Sequence, residues 1–198
     1  PSAWPCPISA DCWRRRSCPV PKIRIIGGRY KNRRIPVPEA EGLRPTPERA
    51  RETLFNWLQF EMNGIRVLDA FAGSGALGLE ALSRGAAEVV FVDQHRPALA
   101  AIEKLCRDWG VSGAQFCCQD ARQYQSSQPF HLLLLDPPFG ADLLPAALAQ
   151  LLPLLAPSGR VYIESPAPLR EGEALPPEWQ PLKQSRAGLV HFSLWGRR

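Results

Sequence analysis

No stretch of this 198-residue chain approaches the ~20 consecutive apolar residues that a membrane-spanning helix requires. Residues 1–21 include Arg14, Arg15 and Arg16 but lack the apolar run and small-residue cleavage site of a secretory signal, so a cytoplasmic location is expected. No internal repeat is evident, and the six cysteines do not form a metal-ligand pattern. Cys6, Cys12 and Cys18 recur every six residues, which is neither a zinc-ligand spacing nor an even number for pairing. Cys106 falls in a helical pattern and Cys117 and Cys118 in a strand, where cysteine usually serves as a small core residue. No metal is expected.

Apolar residues make up 45% and charged residues 22%, the composition of an ordinary soluble domain with a core of its own. The charge is uneven. Residues 1–51 hold 12 Lys and Arg against 4 Asp and Glu, net +8, whereas the remainder holds 12 against 15, net −3. A polyanionic partner on the N-terminal segment is the expectation, against the alternative of a solvated basic arm.

Residues 1–22 lack periodicity and are expected to form a poorly ordered tail. A short basic hairpin follows around Arg24–Tyr30 and Arg33–Pro38. Thr46 is then placed to cap, and Pro47 to open, a helix running to about Phe60 that buries Ala50, Leu54, Phe55 and Leu58. Residues 23–62 are thus read as an N-terminal extension, and residues 63–198 as the catalytic domain. There, strands are expected at Arg66–Ala70, Glu88–Asp93, Ala114–Gln119, His131–Asp136 and Arg160–Glu164. Helices are expected at Gly75–Ser83, Pro97–Trp109 and Asp142–Leu155. Near-continuous apolar strands alternating with helices predict an α/β fold, a mostly parallel Rossmann-like sheet covered on both faces. Trp179–Ser185 and Leu189–Trp195 are expected to close it as an antiparallel hairpin.

Two motifs carry chemistry. Asp69-Ala-Phe71-Ala-Gly73-Ser-Gly75 joins a strand to a helix through a glycine turn, at the sheet edge where open α/β folds bind ligands. Gly73, Gly75 and Gly78 also satisfy the dinucleotide pattern, with Asp93 eighteen residues beyond Gly75, so a nicotinamide-dependent oxidoreductase is one reading. Asp69, however, would repel a pyrophosphate but suits the ammonium of an amino-acid-bearing cofactor, directly or through water. With ribose hydroxyls at Asp93 and adenine at Asp120 and Ala121, the set Asp69, Phe71, Gly73, Gly75, Asp93, Asp120 and Ala121 fits S-adenosylmethionine better. The second motif, Asp136-Pro137-Pro138-Phe139, follows the apolar strand His131–Leu135. Its carboxylate and turn carbonyls are acceptors for an exocyclic amine, the prolines stiffen the turn, and Phe139 offers a ring for stacking on a base.

Read together, these residues resemble the bacterial 16S rRNA guanine-N2 methyltransferases of the D type. The matching stretches are Arg24-Ile-Ile-Gly-Gly28, Leu43-Arg-Pro-Thr46, Arg49–Trp57, Asp69–Gly85, Asp136–Phe139 and Tyr162-Ile-Glu-Ser165. The glycine turn and Asp136–Phe139 are shared by many amino-group methyltransferases, whereas the two N-terminal segments are narrower. The resemblance implies a monomeric class I methyltransferase that uses S-adenosylmethionine and acts on 16S rRNA in an assembled or partly assembled small subunit. Asp136, Pro137 and Phe139 are then the catalytic candidates. Arg24, Arg29, Lys31, Arg33, Arg34, Arg44, Arg49 and Arg51 are candidates for phosphate contacts, with Arg49 or Arg51 alternatively pairing with Glu48 or Glu52. The rivals are a DNA adenine-N6 or other amino methyltransferase, the oxidoreductase, and an inactive RNA-binding assembly factor.

Overall fold

The computed structural model describes residues 22–36, 47–138 and 143–198. Residues 1–21 of the expected tail, the hairpin end Val37–Pro38, Arg44 and the rest of the Leu43–Thr46 stretch, Phe139 and Asp142 lie outside the described residues, whereas Lys22, placed in the tail, opens the first strand. The N-terminal hairpin pairs β1 (Lys22–Arg24) with β2 (Arg34–Pro36) and is followed by α1 (Glu48–Trp57). Then come β3 (Arg66–Asp69), α2 (Ala76–Ser83), β4 (Glu88–Asp93), α3 (Arg96–Trp109) and β5 (Ala114–Cys118). The chain continues through β6 (Phe130–Leu135), α4 (Leu144–Leu151), β7 (Leu155–Ser165), β8 (Trp179–Ala187) and β9 (Val190–Arg197).

The large sheet has the order β5-β4-β3-β6-β7-β9-β8, in which β3 to β7 run parallel and β9 is antiparallel to both of its neighbours. The expected α/β fold with a closing hairpin is therefore present. Leu132, Leu133, Leu134 and Leu135 of β6 are all buried because β6 is a central strand with helices on both faces. From β3 the chain moves outward through β4 and β5, then crosses back to place β6 on the other side of β3. Adjacent connections diverge at that reversal, and a crevice opens at the carboxyl ends of β3 and β6.

Two apolar clusters separate the faces. One joins α1, α2, α3 and the hairpin residues Ile23, Ile25, Tyr30 and Ile35 to the sheet through Val67, Leu134, Tyr162 and Phe192. The other packs Ala147, Leu148 and Leu151 of α4 against Leu133, Leu135 and Ile163. The N-terminal segment thus shares the core of the parallel sheet. As expected, Ala50, Leu54, Phe55 and Leu58 are buried.

Several element boundaries differ from the sequence reading: α1 opens at Glu48, with Pro47 as its N-cap, and ends at Trp57 rather than near Phe60, β8 runs to Ala187 and β9 to Arg197, and the largest difference is at α4. The helix expected to reach Leu155 stops at Leu151 and tightens into a 3₁₀ turn over Leu152–Leu154, after which β7 begins at Leu155 rather than Arg160. Pro153 explains the stop, since its ring collides with the carbonyl four residues back and it has no N–H to continue the α-helical ladder. The early residues of β7 pair irregularly, with the register shifting between Phe130 and Leu132.

The Arg24-Ile-Ile-Gly-Gly28 segment fastens the hairpin to α2. The backbone N–H groups of Ile26 and Gly27 donate to the two carboxylate oxygens of Glu80, at 2.8 and 2.9 Å. Ser83 Oγ donates to the Gly27 carbonyl at 2.5 Å and accepts the Tyr30 N–H at 2.9 Å, while Arg29 N–H donates to the Ser83 carbonyl at 2.7 Å. The narrowest part of the sequence signature is therefore a clasp on α2.

Candidate active site

Each of the strands β3 to β6 contributes an acid at or just past its carboxyl end. Asp69 closes β3, Asp93 closes β4, Asp120 follows β5 and Asp136 follows β6. Gly75, the N-cap of α2, lies at φ 77° and Gly73 at φ 50°, conformations in which L side chains are strained. A Cβ on Gly75 would also come within 2.9 Å of the Ile102 side chain, so the turn is held tightly against α3.

Asp93 shapes that turn. Its Oδ2 accepts the Gly73 N–H at 2.8 Å and its Oδ1 accepts the His95 N–H at 2.7 Å. A carboxylate oxygen has capacity for more than one donor, so this orientation is compatible with further bonds from ribose hydroxyls. Asp69 is only 2% exposed, and its Oδ2 accepts the Gly78 N–H at 3.0 Å in the first turn of α2. Burial pushes its carboxyl up to about 7, opposed by the Gly78 hydrogen bond and reinforced by the negative charges of Asp136 and Asp93. The carboxylate expected to meet an ammonium, directly or through water, is held onto the first turn of α2 by that bond.

Asp120 caps the 3₁₀ turn Ala121–Gln123 by accepting the Arg122 N–H at 2.8 Å, and the Arg122 guanidinium engages both of its oxygens. Those bonds hold its carboxyl below the usual carboxylate range. Ala121, the other residue expected at an adenine edge, is buried at the start of the same turn. Phe71 is half-buried and packs on the α4-side cluster. Acids at successive strand ends match a ligand bearing an ammonium, ribose hydroxyls and an adenine amine, and oppose a pyrophosphate. The donor set therefore fits S-adenosylmethionine.

β3 and β6 run in step, with Asp69 opposite Leu134 and the Ala70 N–H donating to the Leu134 carbonyl at 3.1 Å. This pairing brings Asp136, two residues beyond Leu134, beside the glycine turn and within electrostatic range of Asp69. Asp136 is partly exposed, Pro137 buried and Pro138 exposed.

The basic candidates separate into two groups. Arg24, Arg29, Lys31, Arg33, Arg34 and Arg49 are exposed. Arg24 pairs with Glu48 at 2.7 Å, while the guanidinium of Arg33 lies over the rings of Tyr30 and Trp109, and that of Arg29 over Tyr30. Arg51 corrects the expectation of a phosphate contact. It is 1% exposed, donates to the Arg24 carbonyl at 3.1 Å and lies 3.7 Å from Glu80, because its position on α1 faces α2 rather than solvent.

Sequence reasoning also missed Glu80. Its signal was a single carboxylate in Ala76–Ser83, an otherwise uncharged helix whose eight residues are all buried. Among the described residues, no group of three or more His, Cys, Asp or Glu is placed to hold a metal, and no helix is long and apolar enough to cross a membrane.

The family described as Conserved hypothetical protein 95 matches residues 23–196. Ribosomal RNA small subunit methyltransferase D of Escherichia coli strain K12 is 38% identical over 181 residues, 89% of this chain and 90% of that protein. Its namesake from Haemophilus influenzae is 36% identical over 183 residues, 88% of this chain and 93% of that protein. The solved structure of the Escherichia coli protein yhhF superposes with a TM-score of 0.79 at 34% identity, covering 89% of this chain and 98% of that chain. With its class I methyltransferase fold, this chain belongs to the Conserved hypothetical protein 95 family, the methyltransferase family of ribosomal RNA small subunit methyltransferase D.

Proposed function

We propose that this enzyme transfers a methyl group from S-adenosylmethionine to the exocyclic N2 amine of one guanine in 16S rRNA. It acts as a monomer on the assembled or partly assembled small ribosomal subunit. The observation that carries the reading is the juxtaposition of the Asp136–Pro137 turn with the Gly73–Gly75 turn across the paired strands β3 and β6. Relatives named for small-subunit rRNA methylation support the choice of substrate class.

Asp93 would hold the ribose hydroxyls, the Ala121 backbone the adenine edge, and Asp69, through water, the amino-acid ammonium. When bound, the cofactor supplies a sulfonium-activated methyl group. Guanine N2 is a weak nucleophile because its lone pair is delocalised into the ring, so alignment is the main task of the protein. Ideal positioning accounts for up to ~7–11 kcal/mol of a barrier. The Asp136 carboxylate and the Pro137 carbonyl accept hydrogen bonds from the amine, turn its lone pair toward the methyl group and stabilise the positive charge that develops on nitrogen. Phe139 stacks on the base. After transfer the methylated, positively charged nitrogen gives up its proton to water, so no strongly shifted base is needed. Arg24, Arg29, Lys31, Arg33, Arg34, Arg44 and Arg49 contact phosphates and position the RNA without reading its sequence.

The test is transfer of labelled methyl to unmethylated small subunits, free 16S rRNA and duplex DNA, followed by nucleoside mass analysis. N2-methylguanosine formed in subunits, and lost in Asp136→Ala with cofactor binding retained, is the expected result. Methyladenine in DNA, or full turnover by Asp136→Ala, would overturn the reading.

A further inference from the structure

We propose that the buried Tyr162–Glu164 pair is the positioning element of the Asp136 turn, and that Arg51 of the N-terminal helix supplies its counter-charge. The inference rests on Asp136 being the amine acceptor. β6 and β7 pair in step to Leu135 and Ile163, and the next residues along the two strands are Asp136 and Glu164. Two carboxylates therefore end neighbouring strands, where like charges repel unless one is tied back.

Tyr162 does the tying. Its hydroxyl donates to Glu164 Oε1 at 2.8 Å, and it stands opposite Leu134, two residues before Asp136, near enough to feel the Asp136 charge. Tyr162 is fully buried and Glu164 is 2% exposed, so Glu164 does not offer itself to a base; its effect runs through the turn beside it.

The charge balance assigns the part of Arg51. Among the described residues, the fully buried charged side chains are Arg51, Asp69, Glu80 and Glu164; Arg84 also bonds Glu80 and burial raises the Asp69 carboxyl, so Arg51 is the fully buried cation that remains for Glu164. The Arg51 guanidinium acts electrostatically on Glu80, Glu48 and Glu164, in that order, and so reaches from α2 to the end of β7. It makes a poor structural ion pair, being 3.7 Å from Glu80, with its Nε buried and without a hydrogen-bond partner among the described residues. Arg51 adds little net stability over an apolar residue of its size, although removing its charge alone leaves its acids unpaired at a cost. It does draw the Glu164 charge toward α1, leaving Asp136 as the carboxylate turned to the amine. The phenyl packing of Tyr162 on Phe192, and of Phe192 on Trp57 of α1, carries the same connection through the core.

The experiment compares full-length Tyr162→Phe, Arg51→Lys and Arg51→Met with Asp136→Ala on unmethylated small subunits. It measures kcat, KM, S-adenosylmethionine affinity by calorimetry and thermal melting. Tyr162→Phe is near-isosteric and is expected to fold, to keep KM and cofactor affinity within about twofold, and to lose kcat by about ten- to thirtyfold, the scale of a sub-ångström misplacement. Arg51→Lys is expected to retain most of the turnover that Arg51→Met loses. An unchanged kcat in Tyr162→Phe, or losses that follow the folded fraction in every variant, would overturn the proposal. An inactive Asp136→Ala beside a normal Tyr162→Phe sinks this inference alone, whereas a fully active Asp136→Ala sinks the amine-acceptor reading beneath it.

Discussion

Gly27 donates its backbone N–H to Glu80 Oε1 at 2.9 Å, across 53 residues of sequence. The other Glu80 oxygen accepts the Ile26 N–H, and Arg84 Nε bonds the carboxylate from the next turn of α2. Glu80 is fully buried, so its removal would strand two backbone donors and leave the Arg84 and Arg51 charges without their acid. Glu80→Ala should cost about 3–5 kcal/mol, the range for breaking a buried charge pair from one side. Urea unfolding checks this, and a loss below about 1 kcal/mol would mean that the clasp contributes little.

Gly28 tests the same clasp from the hairpin side. It lies at φ 76°, and an added Cβ would meet the Ser83 carbonyl oxygen at 1.8 Å. Gly64 has nearly the same φ, 74°, but nothing within 4 Å of its added Cβ. Gly64→Ala should therefore cost only the backbone strain, about 1–2 kcal/mol. Gly28→Ala should exceed it by a further ~1–3 kcal/mol of overpacking and should displace the hairpin. Equal melting temperatures for the two variants would contradict the close approach.

The α/β fold was legible because periodicity and glycine turns are local signals. The four leucines of β6 announce a central strand, and the buried stripe Ala98, Leu99, Ile102 and Cys106 of α3 announces an amphipathic helix. The acids at strand ends were equally visible, since position after an apolar run marks the sheet edge. What stayed hidden depends on facing across the chain. Arg51 looked like its exposed neighbour Arg49 until α1 was packed on α2. The stop of α4 at Leu151 is the exception, for Pro153 was in view and its steric effect simply outweighed the apolar pattern.

Asp69 gives a pH dependence with a definite sign. Its carboxyl is raised from 3.8 to about 7 by burial, so the folded protein binds more protons than the unfolded chain between those values. Stability from this group is complete below its unfolded value and is lost as pH rises through the folded one. Asp69→Asn keeps an acceptor for the Gly78 N–H while removing the charge. Its stability relative to the parent should rise by about 2–3 kcal/mol between about pH 5 and about pH 8, read as urea unfolding at each pH. A difference that stays constant, or falls with pH, would contradict the raised carboxyl.

The division of the arginines into exposed and buried groups predicts which of them salt can reveal. A protein that neutralises phosphates releases counterions, so the logarithm of its RNA affinity falls with the logarithm of salt concentration in proportion to the number of contacts. Arg33 and Arg34 sit on the exposed hairpin, and Arg33 is oriented by the rings of Tyr30 and Trp109. If both meet phosphates, Arg33→Ala/Arg34→Ala should lower the magnitude of the slope by about 1.4–1.8 on small subunits. Arg51→Lys should leave the slope unchanged, because the side chain is enclosed between α1 and α2. An unchanged slope in the double variant would remove the hairpin from the RNA interface, and a reduced slope in Arg51→Lys would contradict its enclosure. Measuring slopes rather than single affinities separates the two cases, since a variant that weakens binding by disturbing the fold shifts the line without tilting it.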